Sequence, residues 1–197
     1  MSYWDQLRAW LRSLVRETPR PEPAPPIEPP EVLRPRVLVI VYDPVIKAAG
    51  SRRLSAAMNW NNVDALCQGY VDDLRECSGG FLDYQIVQKI ESEAWPVKQD
   101  GFRYDEPSFL RCWRSGSGFH QPDNVSYEAI LSEYDLPARV QAGQIDEVWL
   151  FGFPYAGFYE SRMVGPGAFW CNAPELPRPD LARRFVVMGF NYQRGVG

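Results

Sequence analysis

Histidine is almost absent: the 197 residues contain one, His120. A site built on two imidazoles within this chain is therefore excluded, the HExxH zinc helix among them. Cysteine is scarce too. Its four positions, Cys67, Cys77, Cys112 and Cys171, contain no CxxC pair, which excludes a zinc ribbon. No apolar run approaches the roughly 18 residues of a membrane-spanning helix. Positive charge is in deficit, with 21 Lys+Arg against 25 Asp+Glu, so no basic excess exists to hold a nucleic-acid backbone. The dinucleotide and Walker glycine patterns are missing. So is the GxSxG elbow, since Gly116-Ser117-Gly118 has the wrong spacing and follows no predicted strand. The 45% of hydrophobic residues nonetheless excludes a wholly disordered or fibrous chain and suits one compact domain with an appendage.

The first 16 residues are not a secretory signal, because Asp5, Arg8, Arg12 and Arg16 interrupt any apolar core. The cytoplasm is the default compartment and four reduced thiols the default redox state. Cys67 and Cys77 share a predicted helix at about 15 Å separation, too far to bridge; a Cys112–Cys171 disulfide stays open.

Composition changes sharply near residue 36. Trp4, Leu7, Trp10, Leu11, Leu14 and Val15 recur at helical spacing among arginines, so residues 1–16 read as a short amphipathic helix. It either docks on the body or frays in solvent, or it contacts a partner protein or membrane surface. Six Arg against five acids leave residues 1–36 at only +1, which argues against strong lipid electrostatics. Residues 17–36 read as a proline-rich, extended linker unable to form a helix or a paired strand.

From residue 37 the pattern is α/β. VLVIVY (37–42), DEVWLFGF (146–153) and RFVVMGF (184–190) are apolar runs of strand length, as strands buried on both faces should read. LDYQIVQKIE (82–91) alternates as a strand exposed on one side. Asn62 caps a helix through Cys77 that Ser78-Gly79-Gly80 stops. Glu106-Pro107 opens a second helix, and residues 126–135 form a third. The expectation is a soluble three-layer domain over 37–197 with a partly parallel central sheet. A core can form without staples, since about 160 residues bury roughly 70% of their unfolded surface. No helix follows the last strand to cover it, so the domain is expected to be incomplete at its C-terminus.

Ligands of open parallel sheets sit beyond the carboxyl ends of the strands. Asp43 follows the first strand; Asn191, Tyr192 and Arg194 follow the last. After the 146–153 strand comes a long loop rich in Gly, Pro and aromatics, a composition more often functional than filler. It carries Tyr155, Phe158, Tyr159, Glu160, Arg162, Phe169, Trp170 and Asn172. If the three strand ends are neighbours, Asp43, Glu160, Arg162, Asn172, Asn191 and Arg194 converge on one cleft, with His120 as a further candidate. Each has a plainer reading as well. Asp43 before Pro44 suits a turn. Glu160 and Arg162 suit surface ion pairs, His120 suits a loop hydrogen bond, and the aromatics suit core packing.

Three segments resemble a family of uncharacterised bacterial proteins: Asp146–Ser161 (DEVWLFGFPYAGFYES), Gly165–Asn172 (GPGAFWCN) and Met188–Gly197 (MGFNYQRGVG). The resemblance covers about residues 36–197. It implies a following helix with a glutamate and a Gly-His-Arg, which would set more acid and imidazole groups beside Asn191 and Arg194 and complete a divalent-metal site. One expected function is thus a hydrolase-like, metal-dependent activity on a polar substrate such as a glycan or peptide. Glu160, Asp43 and His120 would be its catalytic residues. Tyr155, Tyr159, Arg162, Trp170, Asn172, Asn191 and Arg194 would bind substrate. The alternatives are a non-catalytic glycan- or peptide-binding module with an aromatic platform, or a scaffold working through its N-terminal helix.

Overall fold

The computed structural model describes residues 2–14 and 31–195. The expected linker lies mostly outside these, as do Val15 and Arg16. The chain divides into two units, one up to Pro30 and one from Glu31 onward.

In the first unit, α1 spans Tyr3–Leu14. Ser2 opens it reciprocally: its Oγ accepts from Trp4 N at 3.2 Å, and its own N–H donates to Asp5 at 3.1 Å. Both bonds occupy backbone donors that a helix start leaves bare.

In the second unit a six-stranded sheet forms the middle layer. Its strands are β1 (Arg36–Tyr42), β4 (Gln85–Ser92), β5 (Glu147–Gly152), β6 (Ser161–Gly165), β7 (Leu176–Pro177) and β8 (Phe185–Asn191), in the order β4-β1-β5-β8-β6-β7. β4, β1, β5 and β8 run parallel, and β6 is antiparallel to β8. A small antiparallel pair, β2 (Val45–Ile46) and β3 (Arg52–Arg53), leads into a single turn, α2 (Leu54–Ala57).

Both faces of the central strands are buried, which is why they read as unbroken apolar runs. Val37, Val39, Val41, Trp149 and Phe151 point to one face, under α3 (Val63–Cys77) and α4 (Glu106–Ser115). Leu38, Ile40, Tyr42, Val148 and Leu150 point to the other, under α5 (Tyr127–Glu133) and α6 (Leu136–Gln141). The protein is therefore a three-layer α/β domain with a mostly parallel sheet, as its pattern indicates.

The caps are where the sequence puts them. The Asn62 side chain accepts from Ala65 N at 3.0 Å. Asp105 and Ser108 close a capping box on α4, with Pro107 in its first turn.

The helix expected over 126–135 is α5, Tyr127–Glu133, with Ser126 as its N-cap and Tyr134 as its C-cap, and a further short helix, α6, follows after Asp135 at a left-handed φ of 51°. Three expectations need correction. The long loop contains a strand, β6, which pairs with β8 from Ser161 to Val164. β4 starts at Gln85 and is an edge strand with only Ile90 and Ser92 partly buried, so the alternation marks a sheet border more than a covered face. The chain before residue 36 does pair: Leu33 accepts from Asp83 and donates to Phe81, both at 2.9 Å, and the Pro35 carbonyl accepts from Gln85 at 2.8 Å. Proline lacks a donor but keeps its acceptor, and one donor from the neighbouring leucine suffices. All four cysteines are free. Cys112 donates to the Gly118 carbonyl and Cys171 lies against Ser161, so no Cys112–Cys171 bridge forms.

Candidate functional site

β1, β5 and β8 are neighbours, so their carboxyl ends do lie side by side. What the segment after β5 does there depends on two glycines. A Cβ on Gly152 would stand 2.5 Å from the Phe158 ring, and one on Gly189 would strike the Tyr159 carbonyl and stand 2.7 Å from Phe158 Cβ. With hydrogen in place of Cβ, residues 153–160 fold back against the sheet. The Gly189 N–H then donates to the Glu160 carbonyl at 3.0 Å, and Tyr159 N donates to the Tyr127 hydroxyl at 2.9 Å.

A third anchor is buried. The Lys98 side chain has no exposed surface; its Nζ lies 2.5 Å from Asp123 Oδ1 and donates to the Tyr155 carbonyl at 2.7 Å. Burial pulls the Lys98 pKa down, with Asp123 opposing the shift. Gly157, at φ +91°, passes so close that a Cβ would meet the Asp123 carbonyl at 2.6 Å and Lys98 Nζ at 2.7 Å. Tyr155 is itself held at φ +64°, which a tyrosine adopts only under constraint, and its ring stacks on Phe119. The loop is thus a clamped structure.

Between this loop, α3 and β8 opens a cleft of about 630 Å³. Tyr70, Phe153, Met188 and Phe190 give it an apolar side, with the Tyr70 and Phe190 rings 4.5 Å apart. Tyr155, Tyr159, Asp123, Asn124, Glu160, Asn191 and Arg194 supply polar groups. Asn172, at φ +57°, hydrogen-bonds the Glu160 carboxylate and orients it at the cleft's border.

No family model, no curated protein and no solved structure matches this chain. The site must be read from its own chemistry.

Of the residues singled out in the sequence, Tyr155, Tyr159, Glu160, Asn191 and Arg194 border the cleft, and Asn172 touches it through Glu160. The other four do not line it. Asp43 turns its carboxylate to Ser55, twelve residues on in the first turn of α2, accepting from its backbone N at 2.9 Å and from its Oγ at 2.5 Å. His120 stacks on Phe102 and meets Asp100 at 2.8 Å, where it helps hold the Asp100 pKa down, second to the Phe102 N–H. Arg162 sits over the Tyr127 ring at 4.8 Å and donates to Pro174 O at 2.9 Å. Trp170 is exposed elsewhere on the surface. Among the described residues no three His, Cys, Asp or Glu side chains form a group that could hold a metal ion.

Two contributors escaped sequence reasoning. Lys98 carries no signal, because lysine is normally exposed and nothing in Pro96-Val97-Lys98-Gln99 marks it as buried. Tyr70 lies on the apolar stripe of α3 and reads as core, yet its ring borders the cleft. Asp123 was within reach, since it ends the Gly-rich loop that carries His120.

Proposed function

We propose that this domain is a binding module that takes a short polar ligand, a glycan or a peptide, in the cleft beyond β5 and β8. One observation carries the reading. A single cleft of about 630 Å³ offers aromatic rings beside carboxylate, amide and guanidinium groups. That size and mixture suit a small-ligand site, in which rings cover the apolar faces and a few polar groups fix orientation. Arg194 would hold an anionic or carbonyl oxygen, Asp123 and Glu160 would accept from hydroxyl or amide donors, and Tyr155 would stack.

The test is calorimetric titration with oligosaccharides and short peptides, neutral and acidic. One class should bind, and Arg194→Ala and Tyr155→Ala should each weaken it at least about tenfold, or 1.4 kcal/mol. No heat from any member of either panel would overturn the reading.

A hydrolase-like activity is the second reading, favoured by one feature: two carboxylates, Asp123 and Glu160, border the same cleft. Acid–base cleavage of a glycosidic bond needs such a pair. Product should then form from the bound ligand, and Glu160→Gln should keep binding while losing product. Binding without product supports the module alone.

A further inference from the structure

The geometry points to a short zwitterionic peptide as the ligand of the cleft beyond β5 and β8, its free amino end at Glu160 and its free carboxylate at Arg194. The inference rests on the binding-module reading of that cleft and chooses between the two ligand classes it could take. Opposite charges line the cleft without cancelling. Among the described residues the Glu160 carboxylate has a single hydrogen-bond partner, the neutral amide of Asn172, and the Arg194 guanidinium has neither a hydrogen bond nor an ion pair. Asp123 differs, because the buried ammonium of Lys98 balances its charge. One negative and one positive group are therefore left for a ligand to answer. A neutral sugar would exclude water from both and supply no countercharge to either.

Spacing suits a chain of two or three residues. Glu160 is tied to β8 at Gly189, whose N–H donates to its carbonyl at 3.0 Å, and Arg194 is tied just past the strand, its N–H donating to the Asn191 carbonyl at 2.9 Å. Those anchors are two residues apart, about 7 Å along β8. An extended peptide advances about 3.3–3.6 Å per residue, so its two ends fall on the same scale. The apolar side agrees. A sugar needs an open aromatic face to stack on, but here the rings are largely spent on one another. Tyr70 lies 4.5 Å from Phe190, Phe190 stacks on Phe151 at 4.8 Å, Phe153 is buried, and Phe119 covers one face of Tyr155. With Met188 they form a closed apolar wall, and methionine adapts to side chains of differing shape. Such a wall takes an aliphatic or aromatic residue lodged between the two charged ends. The Asn191 amide oxygen is already engaged by Gln193 N at 2.9 Å, which leaves its NH₂ to donate to a peptide carbonyl.

The test is calorimetric titration of the full chain with Ala-Leu-Ala and Ala-Phe-Ala, each with free ends, N-acetylated or C-amidated, beside maltotriose and chitotriose. The free peptides should bind and the sugars should not. Blocking either end should weaken binding at least about tenfold. Each end should also report its own residue. Glu160→Gln should weaken the free peptides yet bind the N-acetylated ones as the wild type does, and Arg194→Gln should behave likewise toward the C-amidated ones. That pairing of end with residue is a result that mere loss of folding cannot produce. Blocking an end without loss of affinity, or binding of the sugars in place of the peptides, overturns the inference and leaves the binding module standing. No heat from the peptides or from the wider oligosaccharide panel overturns the module, and this inference with it.

Discussion

Replacing Lys98 by methionine keeps the length and apolar stem of the side chain and deletes one ammonium. In the fold that ammonium has no exposed surface, sits 2.5 Å from Asp123 Oδ1 and 2.7 Å from the Tyr155 carbonyl, and lies 5.7 Å from the centre of the Tyr104 ring. Removing one member of a buried ion pair costs about 3–5 kcal/mol, because the survivor is left unpaired. Asp123 is 31% exposed, so water recovers part of that cost. The Tyr155 carbonyl loses a donor, which adds about 1 kcal/mol. The expected loss for Lys98→Met is about 2–4 kcal/mol, or roughly 5–15 °C in Tm for a domain of this size. Urea unfolding followed by tryptophan fluorescence measures it. Adding Asp123→Asn should restore at least about 1 kcal/mol, since it removes the stranded charge. The wild type also has a pH signature. The folded Lys98 pKa lies below its ordinary 10.5, so the unfolded chain binds more protons between those two values. Stability therefore rises with pH through that window, and the methionine variant lacks the rise. A loss under about 1 kcal/mol, or strict additivity with Asp123→Asn, would refute the clamp.

Three further outcomes follow from the same geometry. Glu147 accepts from Trp149 Nε1 at 2.8 Å and Tyr84 OH at 3.1 Å, but burial outweighs both and raises its pKa above 4.5. Its charge thus costs stability once pH climbs through the folded pKa, so Glu147→Gln should melt higher than wild type at pH 7, and the gap should close below pH 4.5; a lower melting point at pH 7 would contradict this. Gly189→Ala should cost about 2–4 kcal/mol by forcing the Tyr159 carbonyl and Phe158 away from β8; the cause is space, not conformation, so serine should fare no better. Asp43→Ala should cost about 1–2 kcal/mol through its two lost bonds to Ser55 while leaving ligand affinity in the cleft unchanged. A binding defect in that variant at unaltered stability would return Asp43 to the site.

How far the site was legible follows from the range of the interactions that build it. The loop after β5 drew attention through its glycines and aromatics, and Tyr155, Tyr159 and Glu160 do border the cleft. Arg162 and Trp170 came with them by proximity in the chain. β6 then separates them, because a strand sends alternate residues to opposite faces, and Arg162 goes to Tyr127 on the α5 side. Asp43 was singled out by its strand end, but the fold brings Ser55, twelve residues on in the first turn of α2, against its carboxylate.

Sequence alone determined the layers of this protein: apolar runs of strand length, capped amphipathic helices and glycine stops are short-range signals, and α3 ends where Ser78-Gly79-Gly80 requires. Helical spacing likewise determined the two-faced character of α1. Tertiary structure decided what lies beyond the strand ends. Lys98 meets Tyr155 across 57 positions and Gly189 admits Tyr159 across 30, and the antiparallel return of β6 depends on β8 being present to pair with it. Such contacts are set by close approach of distant backbone and by the burial of one charge against another. Neither leaves a periodic trace along the chain.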